Sequence, residues 1–253
     1  MKIANKRGQI AIWVIVALII VVGIIILVSI KLKPSSQTSG DLSPTAFMQK
    51  CIRDSVLDAT EQMMPQGGFV NPGNYKIYKN TKIEYLCENI GNYKPCVNQH
   101  PSFFNEEKEE IKNYIEPKIN ICFDNLKAER EKKNEEIRYG GGNLSVSLAP
   151  GKIIVNLNRE TIITFNGETS TFRKYDVEIQ NPLYDLINIA NDIASNEAKY
   201  CYFEYVGYMI LYPKYDIRKF TMSDSTKIYT IEDKDTGKKF NIATRSCAIP
   251  PGI

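Results

Sequence analysis

Hydrophobic positions change their spacing several times along this 253-residue chain, and each change marks an expected element. Residues 10–30 form an uncharged run broken only by Gly23 and Ser29, with Trp13, the only tryptophan, near its start. At about 1.5 Å per residue such a helix matches a bilayer's hydrocarbon core, so residues 10–30 are expected to be a transmembrane helix. The polar, Ser-rich stretch Pro34 to Gly40 follows, and residues 31–43 are expected to be a flexible linker. Met48, Ile52, Val56, Ala59 and Met63 then recur at helical spacing behind Ser43 and Pro44, which suit an N-cap and a first turn. This predicts a helix from about 44 to 64, ended by the Pro65 to Gly68 stretch. Tyr75, Ile77, Ile83, Tyr85 and Leu86 lie among Gly, Asn and Pro and predict short strands or extended loop up to Cys96.

A second helix, capped by Ser102 or Asn105, carries the stripe Ile111, Ile115, Ile119, Cys122 and Leu126, with Pro117 expected to kink it. Glu106, Glu107, Glu109 and Glu110 lie near its positive end and are expected to form a solvated face. The run Glu129 to Arg138 is expected to be a solvated helical end, with an i,i+4 pair from Glu129 to Lys133. Gly140 to Gly142 reads as a break, after which the period becomes two. Leu144, Val146 and Leu148, then Ile153, Val155 and Leu157, then Ile163 and Phe165 before the Asn166-Gly167 turn, then Phe172, Tyr175, Val177 and Ile179 predict a meander of about four strands. Asn181-Pro182 opens a third helix with the stripe Leu183, Leu186, Ile187, Ala190, Ile193, Ala194, Ala198 and Cys201. Ile228 to Ile231 and Phe240 to Ala243 flank a turn and predict a final hairpin. Strands grouped apart from helices predict an α+β fold: an N-terminal transmembrane helix, a flexible linker, and an extracellular domain with three main helices and an antiparallel sheet.

Charge places these parts. Of 32 basic residues, Lys2, Lys6, Arg7, Lys31 and Lys33 precede position 34, where no acidic residue occurs; 27 basic against 29 acidic residues remain, a net charge of −2. The basic balance of the whole chain is therefore a membrane-flank effect and gives no reason to expect nucleic acid as a partner. Lys2, Lys6, Arg7 and the amino terminus outweigh Lys31 and Lys33, which favours a cytoplasmic N-terminus. The expected organisation is a basic leader over 1–9, the membrane helix over 10–30, the linker over 31–43 and an exported domain over 44–253. All six cysteines lie in that exported part, as suits an oxidising compartment.

Six cysteines permit 15 pairings. Cys51 and Cys122 fall on or beside helical stripes and Cys87 and Cys96 enclose a short turn-rich loop, so the expected bonds are Cys51–Cys122, Cys87–Cys96 and, with the remainder, Cys201–Cys247. Zinc would want closer Cys or His pairs than Cys87 and Cys96, and His100, the only histidine, is expected to be a plain loop residue. The nucleophile, metalloprotease and phosphate-loop motifs are missing from the sequence, so neither catalytic residue, metal nor cofactor is assigned, and the reading leans away from an enzyme. Six tyrosines between Tyr200 and Tyr215 supply amphipathic contact area, and Tyr202, Tyr205, Tyr208 and Tyr212 are the candidate interface. Asn143-Leu144-Ser145 is the single glycosylation sequon, placed in a loop.

Lys6-Arg7-Gly8-Gln9 directly before an apolar helix resembles the N-terminus of archaeal type IV pilin-like proteins. The resemblance covers about the first 30 residues and implies cleavage after Gly8, with Arg7, Gly8 and Gln9 as processing residues. A pilin helix commonly runs on into its head domain, whereas here the Pro34 to Gly40 stretch interrupts it. As a whole, the order of elements resembles a loosely defined group of archaeal exported proteins with one N-terminal anchor. The matching stretches are Gln49 to Ile52, Gln66 to Phe69, Ile153 to Leu157 and Phe240 to Arg245, and the group brings no assigned activity. The expectation is a single-pass cell-surface protein with a binding or structural role, in contact with the bilayer through 10–30 and with a protein, a cell-surface partner or itself. A pilin-like filament subunit is the alternative, and an anchored hydrolase using paired carboxylates comes third.

Overall fold

The computed structural model describes residues 43–250. The leader, the run 10–30, all but the last residue of the expected linker, and Arg7, Gly8 and Gln9 lie outside the described residues. Among the described residues no helix is long and apolar enough to cross a membrane.

Helix α1 spans Pro44–Met63, and Ser43 Oγ accepts from Ala46 N at 3.2 Å, satisfying one of the donors a helix start leaves free. Its buried face is Met48, Ile52, Val56, Ala59 and Met63. A 3₁₀ turn, Met64–Gln66, leads through Gly67 and Gly68, both at positive φ, toward strands β1 (Tyr75–Tyr78), β2 (Thr81–Glu88) and β3 (Val97–Asn98). Helix α2 (Phe103–Glu131) begins after Ser102, whose side chain makes no cap bond. It ends earlier than expected. Lys133 lies beyond its last residue, Lys127–Glu131 at 3.9 Å and Arg130–Glu135 at 3.3 Å are ion pairs at that end, and Glu136 to Arg138 already belong to the next strand.

Strands β4 (Glu136–Ala149), β5 (Lys152–Phe165), β6 (Glu168–Lys174) and β7 (Val177–Gln180) form an antiparallel sheet in which β5 pairs with the other three. The glycine trio is not a break: it lies inside β4, where the register slips between Tyr139 and Gly142. A Cβ on Gly142 would stand 2.9 Å from Arg159 Cβ, so glycine here lets the bulged strand close on β5. Arg159 fills the bend, donating to Gly140 O at 2.6 Å and lying over the rings of Phe123 and Tyr139.

Helix α3 (Leu183–Tyr200) follows, with Leu183, Leu186, Ile187, Ala190, Ile193 and Ala194 buried. Asn181 Oδ1 accepts from Leu183 N at 3.0 Å, but from one residue outside the cap position, which Pro182 occupies instead. The Tyr-rich segment then makes a short helix α4 (Tyr205–Leu211) and a strand β8 (Tyr215–Thr221), neither of them expected. The final hairpin, β9 (Lys227–Asp233) and β10 (Lys239–Arg245), closes a mixed sheet in the order β1-β2-β10-β9-β8, with β3 also on β2. β10 runs parallel to β2 and the other pairs are antiparallel. The fold is thus α+β with four helices, and the one antiparallel sheet expected is two sheets. One continuous core joins their inner faces to α1, α2 and α3.

Three disulfides close this unit: Cys51–Cys122, Cys87–Cys96 and Cys201–Cys247, with Cα separations of 6.2, 5.4 and 5.7 Å. These are the pairs expected from the sequence. The first ties α1 to α2 across 71 residues, and the last ties the end of α3 to the residues after β10.

Candidate functional site

Register defines which residues share the outer face of the mixed sheet. Tyr85 pairs with Ala243, Ala243 with Ile228, and Ile228 with Phe220, so these four form one row across β2, β10, β9 and β8. A second row is Asn241, Thr230 and Arg218, and a third is Lys239, Glu232 and Asp216. Among the described residues no helix covers this side, yet Ile83 and Ile228 are buried. The cause is curvature: Tyr78 on edge strand β1 and Phe220 on edge strand β8 bring their ring centroids to 5.2 Å, and Lys76 pairs with Asp224 just past β8. Two contacts between opposite edges fold the sheet into a trough of about 330 Å³. Ile83 and Ile228 line its floor and belong to a small apolar cluster with Tyr85 and Ala243, against which Tyr78 and Met222 pack.

The rim is cationic. Arg218 bonds Asp216 at 2.6 Å and reaches Glu232 at 3.3 Å, and Lys239 stands 3.5 Å from the same Glu232. Lys79 has no ion-pair partner among the described residues; its ammonium lies 5.2 Å from the Tyr78 ring centre. Lys219 also borders the trough, but it alternates to the other face, where its ammonium sits over Tyr202 and Tyr205. Among the described residues no carboxylate lines the trough itself, although Asp216 and Glu232 beside it hold Arg218 and Lys239. Such a surface suits an anionic ligand with apolar faces. Sequence reasoning missed it because its parts come from β1, β8, β9 and β10, which no local spacing relates.

A second cluster joins the start of α2 to β2 and the Gly67-Gly68 turn. His100 is a loop residue, but not a plain one: Nδ1 is 2.5 Å from Glu106 Oε2, Nε2 is 3.4 Å from Glu84 Oε1 without hydrogen-bond alignment, and Phe69 packs on the ring at 4.8 Å. Burial opposes its protonation, but the neighbouring Glu84 and Glu106 carboxyls together outweigh it and hold its pKa above the usual value. The acidic run is not a solvated face either. Glu110 Oε1 accepts from Val70 N at 2.9 Å, and Glu107 is fully buried with both oxygens lacking a partner among the described residues. Burial, then the charges of Glu110 and Glu106, push the Glu107 carboxyl well above the ordinary carboxylate range, so it holds its proton to higher pH than a free carboxyl does. A signal for this was present: Phe103, Glu107, Ile111, Ile115 and Ile119 are spaced by four and share one buried face. Among the described residues no group of His, Cys, Asp and Glu is arranged to hold a metal ion.

The expected tyrosine interface divides. Tyr205, Tyr208 and Tyr215 pack against the core, and burial pushes the Tyr208 phenol up to about 12. Tyr200, Tyr202 and Tyr212 are exposed, with the Tyr202 hydroxyl donating to Glu204 at 2.6 Å. Val206, Ile210 and Leu211 on α4, which the sequence did not single out, are exposed beside them. Asn143 is exposed, but in strand β4 opposite Asn158 rather than in a loop. No protein-family model, curated protein or solved structure matches this chain.

Proposed function

We propose that the chain is a single-pass, membrane-anchored cell-surface protein whose exported domain binds an anionic ligand on the outer face of its mixed sheet. The observation that carries the binding part is the trough: one sheet face that, among the described residues, no helix covers, folded over an apolar floor, with Lys79, Arg218 and Lys239 on its rim and no described carboxylate in its lining. The anchor rests on the run 10–30 and its charged flanks, and three disulfides suit an oxidising compartment outside the cell. Two measurements test the reading. Protease added to intact cells should shed a soluble domain cut within residues 35–41, and full protection would overturn the anchored topology. The purified full-length protein should be retained on dextran sulfate at low salt, and the Lys79→Glu, Lys239→Glu double variant should elute early. Equal retention of the variant would remove the trough as the ligand face. The leader Lys6 to Gln9 keeps a filament subunit as the second reading. It predicts a mature chain beginning at Gln9 and copies that copurify as a filament.

A further inference from the structure

We infer that the outer face of α4 rests on the lipid bilayer, a reading that depends on the anchored topology proposed above and not on the trough. Helices α1, α2 and α3 turn their aliphatic stripes into the core, whereas α4 has no fully buried residue. Its inner side is nevertheless fixed. Tyr205, Tyr208 and Met209 pack against the core, Glu204 Oε1 accepts from Gly207 N at 3.2 Å, and Cys201–Cys247 holds the chain just before it. The opposite side carries Val206 and Ile210, one turn apart, with Leu211 and Tyr212 at the end of the helix; Ile210 and Leu211 are each 75% exposed. From Tyr205 to Pro213 no residue is charged. Large aliphatic side chains presented together by a fixed helix mark an interaction surface.

What borders this tip suits a membrane. Tyr202 and Tyr212 are exposed beside it, and amphipathic rings concentrate at the level of lipid headgroups. Lys199 and Lys219 make no ion pair among the described residues; their ammonium groups lie over Tyr200 at 4.7 Å and over Tyr202 and Tyr205 at 5.2 Å, where they can meet anionic headgroups. Lys214 is held by Asp233, and Glu204 is turned to the Tyr202 hydroxyl and Gly207 N. Tether length favours lipid over a second copy. The twelve residues 31–42 lie between the run 10–30 and Ser43, and at about 3.3–3.6 Å each they reach at most about 43 Å. With the anchor in place the domain stays beside the bilayer, so a small patch suffices to hold it there. A stable pair of copies needs roughly 20–30 residues a side, far more than Tyr202, Val206, Ile210, Leu211 and Tyr212.

The test is quenching of tryptophan emission by bromine on the lipid acyl chains, with the full-length protein reconstituted in vesicles of equal parts phosphatidylcholine and phosphatidylglycerol. Trp13, the only tryptophan, reports the anchor. Ile210→Trp and Phe165→Trp, each in a Trp13→Phe background, report the α4 tip and an exposed position on the antiparallel sheet. Brominated lipid should quench Trp13 and the reporter at 210 about twofold or more and leave the reporter at 165 unchanged. Adding Leu211→Glu should remove most of the quenching at 210 without moving the melting midpoint, because Leu211 is exposed. Lys199→Glu with Lys219→Glu should weaken that quenching in these vesicles and not in phosphatidylcholine alone. Quenched Trp13 with an unquenched reporter at 210 would overturn the inference and leave the anchor standing. If neither were quenched, the anchor would fall and the tether argument with it. Equal quenching at 210 and 165 would remove α4 as the membrane face. A reporter at 210 that brominated lipid does not quench, but that becomes shielded from aqueous iodide as protein density rises, would give the face to a second copy and overturn the lipid reading.

Discussion

Glu107 and Glu197 are both fully buried, both sit on the core side of a helix, and are housed in opposite ways. Glu197 on α3 is completely partnered: Oε2 meets Lys227 Nζ at 2.7 Å and Oε1 accepts from Tyr229 at 2.5 Å, while Lys227 also bonds Cys201 O. Burial and the Glu197 charge push the Tyr229 phenol above its ordinary range, so it remains a donor. Glu107 on α2 has no such partner, and the backbone of Gly68 presses against its carboxyl. One site surrounds its carboxyl with donors; the other leaves its carboxyl unpartnered, where burial favours the protonated form. The first ties the end of α3 to β9, and the second lets the Gly67-Gly68 turn lie directly on α2.

The sharpest test of the contrast is to delete each carboxyl. Glu197→Ala leaves the ammonium of Lys227, only 15% exposed, without its counter-charge, and should cost about 3–5 kcal/mol in urea unfolding. Glu107→Gln replaces an unpartnered carboxyl, whose protonated form burial favours, with an amide of the same shape and should change stability by about 1 kcal/mol or less near pH 5. Equal losses at the two sites would mean that Glu107 is charged and paired after all, and the comparison would fail.

The next effect comes from Gly68. A Cβ there would stand 1.4 Å from Glu107 Oε1, and the residue has φ +97°, which side chains rarely adopt. Gly68→Ala should cost about 2 kcal/mol or more. In a Glu107→Ala background the steric part of that cost disappears and the backbone part stays, so a double-mutant cycle should show coupling of about 1 kcal/mol or more. Additive losses would separate the turn from the carboxyl.

Much of the fold was legible because its signals are local. Ser43 caps as its type suggests, α1 and α3 bury the stripes their spacing draws, and the cysteine pairs follow from which stripes and loops hold them. The α4–β8 segment was not legible because Tyr205 to Tyr215 fits neither period: α4 has no buried residue at all, and β8 has only Ile217. The buried acids were legible in principle. Glu107 continues the stripe through Ile111 and Ile115, and Glu197 continues the one through Ala190 and Ala194, but charge argued for solvent while position argued for core. In both cases position prevailed. The trough could not be read locally, since it exists only when β1 and β8 meet across the curved sheet.

A smaller effect, in pH dependence, separates Glu107 from its neighbours. In the unfolded chain its carboxyl ionises near 4.5, while in the folded protein it keeps its proton well above that. Between those values the folded state binds the extra proton, so stability falls as pH rises, by at most about 1.4 kcal/mol per pH unit for one proton. Glu107→Gln should flatten this part of the curve, measured as urea midpoints from about pH 5 upward. A slope unchanged by the substitution would place the titrating group elsewhere.

The smallest expected effect belongs to His100, whose pKa is also raised, but from 6.5. The sign is the same and the window is different: its contribution is complete below 6.5 and is lost as pH rises through the folded value. The groups with lowered pKa, Asp58 near 2 with Asp224 and Asp233 from 3.8, and exposed Glu204 from 4.5, act in acid, where stability is lost as pH falls below those unfolded values, so they do not enter this range. His100→Gln should therefore leave the slope between about pH 5 and 6.5 intact and reduce the loss above 6.5 by about 1 kcal/mol or less, because the ring is half-buried and its partner Glu106 is partly open to water. The two variants together should flatten both windows. If His100→Gln instead removed the slope below 6.5, the imidazole and the Glu107 carboxyl would be sharing one proton, and the carboxyl at the end of α2 would be half of a coupled pair rather than a group housed alone.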